Sequence, residues 1–378
     1  MSTLVHSVRV LGSTGVDPAR ADGWVRFEDG RVSAAGEGGE LPAARHVVDG
    51  GGGCLAPGFV DIHGHGGGGA SFDDGPEAIR AARAVHRAHG TTRAVLSLIT
   101  APIDELAARV AMVADLAASD PTILGSHLEG PFLDPGHKGA HTASLLRAPD
   151  AASVDRLLEA GRGSIRQVTL APELPGAFDA IRRFTDAGVA VAVGHTDADA
   201  DVTRRAFDAG ATLLTHAFNA MNGIHHRAPG PVVAALRDDR VTLEIIADGV
   251  HVDLALIATL FAAGGDRMAL ITDAMAAAGS SDGRYVLGGL PVRVDGGVAR
   301  LEDGGAIAGS TLTQDAAVRH IVGAGVGLGD AVRAAGATPA RAVGRPDLGR
   351  LDAGSPADAV LLDEHLAVRR VWVDGRPG

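Results

Sequence analysis

The sequence predicts an α/β protein: a (β/α)8 TIM barrel accompanied by a small β-sandwich domain built from both termini. Two observations in the chain of 378 residues lead to this prediction. In the middle of the chain, apolar runs alternate with alanine-rich helical segments, which is the pattern of repeated strand-helix units. Both ends carry short β-like pieces without a convincing helix. We therefore assign residues 1–54 and 345–378 to the small domain and residues 55–344 to the barrel.

The overall composition restricts the class of protein. Hydrophobic residues make up 46% of the chain but aromatic residues only 3%, which indicates a core of alanine, valine and leucine. The formal net charge of −12 argues against a nucleic-acid or anionic-membrane partner. No stretch approaches the length of a membrane span, and the single cysteine, Cys54, cannot form an intrachain disulfide. We therefore expect a soluble, cytoplasmic protein.

The terminal pieces are predicted to be strands. Their short apolar runs are separated by turns, and the joints at 50–53 and 351–356 are rich in glycine or proline. The symmetry of the two ends indicates one β domain assembled from both. The predicted strands are Leu4–Val10, Gly23–Phe27, residues 31–33, Asp358–Leu362 and a strand within 368–375.

Eight buried strands are predicted in the middle region. The carboxyl-terminal parts of their apolar runs lie at residues 61–65, 96–100, 124–129, 168–171, 191–195, 213–216, 245–248 and 269–273. The helical segments predicted between them include Pro76–His89, Ile103–Ala118, Ala151–Ala160, Ala177–Ala187, Ala200–Ala209 and Leu254–Ala263. A hairpin of Tyr285–Val294 and Val298–Leu301 is predicted to interrupt the barrel after the eighth strand.

Polar residues terminate these apolar runs, where the carboxyl ends of barrel strands meet. They come from five different strands and are His63, His65, Glu129, His195, His216 and Asp273. Imidazoles and carboxylates that converge fit a catalytic metal site with an open position for water, with Zn²⁺ or Fe²⁺ favoured by ligand type. One histidine at a strand end is more often a core residue, but the whole set argues for function. The other histidines on helix faces, such as His86, are expected at the surface.

The segment Ala56–His65 (APGFVDIHGH) resembles the first-strand motif of the amidohydrolase superfamily, which implies a barrel of the amidohydrolase type. More narrowly, the chain resembles the N-acetylglucosamine-6-phosphate deacetylase family along nearly its whole length. The motifs HLEGP and THxxNAM are specific to this branch. The segments that carry the resemblance are His127–Phe132, Lys138–His141, Gly194–Thr196, Thr215–Met221, Pro229–Gly230, Ala247–His251, Thr272–Ala274 and Ala308–Ser310.

The resemblance implies a metal site with a glutamate where many amidohydrolases carry a carboxylated lysine. Glu129 occupies the matching position, and the single lysine of the chain, Lys138, does not end an apolar strand. By the same resemblance, His195 and His216 complete this site. Some family members lack the two first-strand histidines and hold one metal ion. Because this chain keeps both, we predict one or two divalent transition-metal ions per subunit and favour a two-metal capability.

The chemistry expected at this site is hydrolysis of an amide. Asp273 is predicted to take a proton from the attacking water and to return it to the departing amine, since an unprotonated amine is a poor leaving group. His141, in the turn after the third strand, is the candidate donor to the oxyanion that develops on the carbonyl. A purely structural role is the alternative for each residue.

A phosphorylated substrate needs a local anion pocket in an acidic protein. The resemblance assigns phosphate contacts to Arg227 and His251, and it places the loop of Arg227 across a homodimer interface. Relatives often carry an acid where Ala228 stands, and a charged surface loop without a ligand is the alternative. The other residues predicted to contact substrate are Ala140, Asn219, Ala220, Ile307, Ala308 and Gly309.

These observations predict a metal-dependent hydrolase that converts N-acetylglucosamine 6-phosphate and water to glucosamine 6-phosphate and acetate in amino-sugar metabolism. One alternative keeps the site and changes the sugar to N-acetylgalactosamine 6-phosphate. A second alternative is an amidohydrolase that acts on a cyclic amide. A third, from another class, is a non-catalytic barrel that has lost its metal.

Overall fold

The computed structural model of the chain describes residues 2–377. The first strands are β1 (Ser2–Val10), β2 (Gly23–Glu28), β3 (Arg31–Glu37), β4 (His46–Asp49) and β5 (Cys54–Pro57). The middle region contains β6 (Phe59–Asp61), β7 (Gly66–Gly67), β8 (Ala70–Ser71), β9 (Thr91–Ile99), β10 (Ile123–Glu129), β11 (Ile165–Leu170), β12 (Ala190–Val193), β13 (Leu213–Leu214), β14 (Thr242–Ile246) and β15 (Met268–Ile271). The last strands are β16 (Gly283–Leu287), β17 (Leu290–Asp295), β18 (Val298–Leu301), β19 (Ala359–Leu362), β20 (Val368–Val373) and β21 (Arg376–Pro377).

The helices lie between the barrel strands and after the last of them. They are α1 (Pro76–Ala88), α2 (Ile103–Ser119), α3 (Ala151–Gly161), α4 (Ala177–Asp186), α5 (Ala200–Asp208), α6 (Gly230–Leu236), α7 (Leu254–Gly264), α8 (Gln314–Gly323), α9 (Leu328–Ala335) and α10 (Ala337–Ala342). Across residues 2–377, none of these helices has the length and apolar character needed to cross a membrane.

The six helices predicted from the sequence are confirmed, and each begins at its predicted residue. Three of these starts have a clear local cause, because the side chains of Asp150, Asp199 and Asp253 accept hydrogen bonds from backbone N–H groups of the first turn. An aspartate in this position satisfies donors that have no partner within the helix.

A parallel sheet of β6 and β9 to β15, in chain order, forms the barrel. Its two end strands meet through the backbone, where the amide of Asp273 donates to the carbonyl of His63 at 2.8 Å. The hydroxyl of Thr272 also donates to Asp61 Oδ2 at 2.6 Å. Each of the eight predicted strands overlaps one strand of this sheet, so the predicted (β/α)8 barrel is confirmed.

The second large sheet combines both termini in the order β21-β20-β19-β5-β1-β2-β3, with β4 paired to β1. This sheet folds over itself, because Phe27 of β2 and Trp372 of β20 are distant in strand order yet their ring centroids lie 5.9 Å apart. Both rings belong to a buried cluster distinct from the barrel core. The predicted small β-sandwich is therefore confirmed, whereas the boundaries 1–54, 55–344 and 345–378 stay predictions. The first of these boundaries falls within β5.

The excursion after the barrel is a three-stranded meander of β16, β17 and β18, so the prediction of a two-stranded hairpin is wrong. The predicted strand Tyr285–Val294 is broken by a tight turn at Gly288 and Gly289, whose φ angles are 56° and 80°. Glycine adopts this left-handed backbone without the steric cost that other residues incur. The meander packs against the barrel, where Leu287 and Ile99 share a buried cluster.

The surface position expected for His86 is also wrong. Its side chain is buried against the glycine-rich segment after β6, and Nε2 lies 2.8 Å from the carbonyl oxygen of Gly66. A Cβ on Gly67 would come within 2.9 Å of the same nitrogen, so the backbone there approaches α1 as closely as a glycine permits. This close approach covers the imidazole.

Candidate metal centre

The carboxyl ends of five barrel strands bring all six predicted strand-end residues into one buried cluster. Each of these side chains belongs to a residue that is at most 9% exposed. The cluster consists of His63 and His65 after β6, Glu129 at the end of β10, His195 after β12, His216 after β13 and Asp273 after β15. The sequence placed these residues at strand ends, and the curvature of the barrel brings the strand ends together.

Glu129 lies at the centre of the cluster, and its two carboxylate oxygens face different imidazole rings. Oε1 lies 3.1 Å from His195 Nε2 and 3.2 Å from the Nε2 atoms of His216 and His63. Oε2 lies 3.1 Å from His65 Nε2 and 3.4 Å from His141 Nε2. Five ring nitrogens therefore surround one carboxylate.

This arrangement fits a divalent metal ion better than a hydrogen-bond network. The Nε2 atoms of His195 and His216 lie only 3.0 Å apart, so at most one of them can carry a proton along that line. The buried Nε2 atom of His63 lies 3.2 Å from Glu129 Oε1 but forms no hydrogen bond of suitable geometry among residues 2–377. Nitrogen lone pairs that converge with carboxylate oxygens form the ligand set of zinc and iron sites.

The candidate ligand atoms fall into two groups. In each group the candidate atoms lie within 4.8 Å of one another. One group contains His63, His65 and Asp273, and the other contains Glu129, His141 and His195. His216 adjoins the second group because its Nε2 faces Glu129 Oε1 and His195 Nε2. The carboxylate of Glu129 faces both groups, with Oε1 near His195 and Oε2 near His65.

A buried acid that the sequence reading missed supports the first group. Glu244 of β14 is fully buried, and its Oε2 lies 3.1 Å from His63 Nδ1. Its other oxygen accepts a hydrogen bond from Gln167 Nε2 at 2.6 Å. A carboxylate that holds one imidazole nitrogen leaves the other free for a metal. The signal in the sequence is an acid inside the apolar strand Thr242–Ile246, where a charge without a partner would be costly.

The second group is held by backbone atoms of the loop after β10. His195 Nδ1 lies 2.8 Å from the carbonyl oxygen of His137. Gly139 of the same loop has φ of 52°, and a Cβ there would lie 3.2 Å from His195 Cε1. Glycine thus lets the loop pass directly against the ring.

His127, which opens the HLEGP motif, lies behind the cluster rather than in it. Its Nδ1 lies 2.8 Å from Ser97 Oγ and its Nε2 lies 2.9 Å from Thr169 Oγ1, so both nitrogens are already used. The ring packs edge-on against His63, with centroids 4.5 Å apart. Burial, together with the neighbouring His63, holds the pKa of His127 well below its usual range. We therefore interpret His127 as an uncharged residue that packs behind the cluster.

The charges in the cluster depend on one another. Burial alone would raise the pKa of Glu129, but the His63 imidazole and hydrogen bonds from His141, His195 and His216 hold that pKa well below its usual range. Burial lowers the pKa of His141 to about 4. The carboxylate is therefore ionised and the His141 ring neutral at neutral pH, which are the forms that bind cations.

A cavity of about 350 Å³ opens onto the cluster. Six of the eight residues predicted to contact substrate line it, and they are Ala140, Asn219, Ala220, His251, Ile307 and Gly309. Ala308 is fully buried and Arg227 is exposed on a loop, so neither lines the cavity of this subunit. Lining residues that the sequence reading missed include Ile99, His137 and Leu287, and Leu287 is contributed by the meander.

His251 places an imidazole, paired with a carboxylate, at the rim of the cavity. Its Nδ1 lies 2.6 Å from Asp248 Oδ2, and the backbone amides of Val250 and His251 donate to Asp248 Oδ1 at 2.9 Å. Burial opposes a charge on this ring, but the hydrogen bond and the charge of Asp248 raise the pKa of His251 above its usual value. Arg227 lies outside the cavity, with Nη1 at 2.7 Å from His226 Nε2.

Together, the barrel, the sandwich formed by both termini and the histidine-carboxylate cluster at the carboxyl ends of the strands define the class of metal-dependent barrel hydrolases. The chain belongs to the amidohydrolase family, whose sequence pattern matches residues 54–377.

Individual relatives resemble the chain over nearly its full length. An N-acetylgalactosamine-6-phosphate deacetylase of Escherichia coli O157:H7 is 40% identical, and the match covers 94% of this chain and 96% of that protein. An N-acetylglucosamine-6-phosphate deacetylase of Vibrio furnissii is 37% identical, with 85% and 82% covered. Among solved structures, a mutant N-acetyl-D-glucosamine-6-phosphate deacetylase of Mycobacterium smegmatis in complex with N-acetyl-D-glucosamine-6-phosphate superposes with a TM-score of 0.94. It is 44% identical, and the superposition covers 100% of this chain and 98% of that one.

Proposed function

We propose that the protein is a metal-dependent deacetylase that hydrolyses N-acetylglucosamine 6-phosphate to glucosamine 6-phosphate and acetate. The observation that carries this proposal is the Glu129-centred cluster at the base of a cavity of about 350 Å³. That volume lies within the range of small-molecule sites. The relatives named for deacetylation of 6-phosphorylated amino sugars support the substrate class.

The residues that would hold the metal are the two groups around Glu129. We propose Glu129, His195 and His216 for one ion and His63 and His65, again with Glu129, for a second ion. Zn²⁺ and Fe²⁺ both suit this mixture of imidazole and carboxylate. When bound, such a cation supplies positive charge that polarises the amide carbonyl and favours ionisation of water.

Asp273 is the proposed acid and base. Its Oδ1 lies 3.4 Å from His65 Nε2 and 3.6 Å from His63 Nε2, and the residue lines the cavity. A carboxylate there can accept the proton of the attacking water at Oδ1 and deliver it to the amine nitrogen as the carbon–nitrogen bond breaks. One residue thus serves both proton transfers, because the cavity brings water and leaving group to the same side chain.

His141 is proposed to donate from Nε2 to the oxyanion. Thr100 Oγ1 lies 2.8 Å from His141 Nδ1 and 3.1 Å from the carbonyl oxygen of Glu129. The proposed role requires that the Thr100 hydroxyl gives its single proton to Nδ1, since a neutral ring then carries its own proton on Nε2. In the opposite tautomer Nε2 presents a lone pair, and His141 becomes a metal ligand of the second group.

The phosphate group is proposed to lie near His251 and the segment of Asn219 and Ala220, which line the same cavity. Because Arg227 is exposed on its own subunit, we propose that it reaches the cavity of a second subunit in a homodimer. Ala308 would contribute through backbone atoms only, since its side chain is fully buried.

The second candidate substrate is N-acetylgalactosamine 6-phosphate, favoured by the E. coli relative of that name, which is 40% identical. This substrate would use the same metal centre and the same phosphate contacts. The two sugars differ in the orientation of one hydroxyl, so the choice between them depends on the rim of the cavity rather than on the cluster.

The deciding experiment measures acetate release from both 6-phosphorylated sugars and from unphosphorylated N-acetylglucosamine, with metal counted in the same sample. We expect fast release from N-acetylglucosamine 6-phosphate and one or two metal ions per chain. Faster release from the galactosamine epimer would establish the second candidate. Metal without release from any of the three would point to another amidohydrolase reaction, such as cyclic-amide hydrolysis. A protein that binds no metal would be a non-catalytic barrel. The cytoplasmic location stays a prediction.

A further inference from the structure

An arginine-lined recess lies beside helix α1, at the amino ends of the barrel strands and therefore at the face opposite the metal centre. It has a volume of about 320 Å³. Ile123, the first residue of β10, forms part of its wall. The full lining is Ile79, Arg80, Arg83, Ala84, Arg87, Asp120 and Ile123.

Arg83 contributes a buried positive charge to this recess. The residue is 4% exposed, and its Nη2 donates to the carbonyl oxygen of Thr92 at 3.1 Å. Its Nε is buried without a hydrogen-bond partner, and among residues 2–377 Arg83 forms no ion pair. Burial and the like charge of Arg87 lower the pKa of Arg83 to about 10. The carboxylates of Asp120 and Asp61 act on Arg83 only through space and do not offset the cost of burying its guanidinium, so an oxyanion that accepts from Nε would be favourable there.

Arg87, one helical turn further along α1, repeats the pattern. Its Nε is also buried without a hydrogen-bond partner in the described part of the chain. Two guanidinium groups four residues apart on a helix repel each other. An anion between them would offset this repulsion and accept hydrogen bonds from the Nε groups of both arginines.

The acids near the recess are already engaged. Asp120 Oδ1 accepts hydrogen bonds from the backbone amide and the hydroxyl of Thr122 at 2.9 and 2.7 Å. Glu77 pairs with Arg80, the exposed arginine at the rim. Asp120 keeps its negative charge and acts on Arg83 through space, but neither acid forms an ion pair with the two inner arginines in the described residues. Three arginines face two acids, so the net charge at the recess is positive.

The recess also borders the terminal sheet. Arg87 and Asp120 line a second, adjoining cleft of about 770 Å³, whose other wall includes Arg376 and Asp374. Asp374 is bound by Arg93 of β9 at 2.7 Å. A ligand in the recess would therefore lie at the junction of barrel and sandwich.

We propose that the recess formed by Arg83 and Arg87 binds a small oxyanion of the phosphate type, either inorganic phosphate or a phosphate monoester. A guanidinium presents a planar fork of N–H donors that matches the oxygens of such an ion. The site is separate from the proposed substrate phosphate at His251, which lies at the other end of the barrel.

Calorimetric titration of the metal-loaded protein with inorganic phosphate tests this site. The titration uses the Arg227→Ala variant, so that one proposed contact to substrate phosphate is absent. In this background Arg87→Gln is expected to weaken binding by about tenfold or more, because a charge-assisted hydrogen bond is lost. The matched control is Arg204→Gln, an exposed helix arginine paired with Asp201 three residues earlier, which should leave the affinity unchanged.

A second readout covers the risk that a buried variant folds poorly. Phosphate should raise the melting temperature of the Arg204→Gln control but not that of Arg87→Gln, since a ligand stabilises only the form that binds it. Arg83→Lys, which keeps the charge and loses the fork, should weaken binding less than Arg87→Gln. Glycerol 3-phosphate that binds more tightly than inorganic phosphate would assign the site to a monoester. Equal phosphate binding and equal stabilisation in Arg87→Gln and Arg204→Gln would overturn the proposal.

Discussion

The two halves of the candidate metal centre share Glu129 but are supported in different ways. In the first half, the two imidazole residues His63 and His65 follow β6 without a positive φ, although Asp273 beside them has a φ of 47°. A buried side chain orients the His63 ring. That side chain is Glu244, whose Oε2 lies 3.1 Å from His63 Nδ1. The orientation of this half therefore depends on one carboxylate from the barrel core.

The second half depends on the backbone instead. His195 and His216 have φ angles of 49° and 24°, which are uncommon for residues with a side chain. A loop carbonyl, that of His137, holds His195. Backbone strain of this kind persists only where the surrounding structure enforces it.

The difference teaches that the two halves should respond differently to a single substitution. A side-chain support can be removed by changing one residue, whereas a backbone support survives such a change. The first half is therefore the one whose metal affinity a point mutation outside the ligand set can lower. Four predictions test this comparison, beginning with the largest expected effect.

Glu129→Gln should damage both halves at once, because Glu129 faces ligands of each group. We expect metal to be lost from both positions and acetate release to fall about a thousandfold or more, the loss of several kcal/mol of transition-state stabilisation. Metal analysis and steady-state kinetics check this together. Retention of two metal ions per chain would show that the halves do not depend on a shared carboxylate.

Asp273→Asn separates chemistry from metal binding in the first half. Loss of a general acid-base residue should lower kcat by about a hundred- to ten-thousandfold with the metal count unchanged. The alternative is that Asp273 binds the metal, since it groups with His63 and His65 as a candidate ligand. If one metal ion disappears from the purified variant, Asp273 is chiefly a ligand of the first half.

Glu244→Gln should weaken chiefly the first half, since Glu244 meets the His63 ring at 3.1 Å but only the backbone amide of His216, at 3.4 Å. Removal of the carboxylate that orients His63 is expected to lower the affinity of one metal ion by about ten- to a hundredfold and to leave the other ion in place. Competition with a chelating dye, followed by metal analysis, measures this. Glu173→Gln is the control, because Glu173 binds Thr196 and Asp197 rather than a ring of the cluster. Equal weakening in both variants would contradict the assigned support.

Arg227→Ala should leave both halves intact. We expect KM for the phosphorylated sugar to rise about tenfold with kcat and metal content unchanged, because a phosphate contact stabilises ground state and transition state alike. Steady-state kinetics on phosphorylated and unphosphorylated substrates distinguish the effect. An unchanged KM would show that Arg227 does not contact the substrate. A lower metal content would show that its loop supports the metal cluster.

The parts of the fold that depend on short-range patterns were predictable. Apolar runs and their polar ends located the eight barrel strands, and the alanine-rich segments between them located six of the helices. The turn at Gly288 and Gly289 was missed, because the surrounding residues continue a plausible strand on either side. The burial of His86 was missed for a different reason: it depends on a glycine segment 20 residues away.

In the candidate metal centre, too, local features were predictable from the sequence and long-range contacts were not. The sequence by itself determined which side chains stand at strand ends, because the alternation of apolar runs with polar termini is a local pattern. Only the tertiary structure decided that Glu129 faces five imidazoles, that Glu244 supports His63 and that Arg227 lies outside its own cavity. These are relations between residues up to 181 positions apart, and they arise from the closure of the barrel. No local pattern encodes such distances, since they depend on how the strands curve and where the loops return.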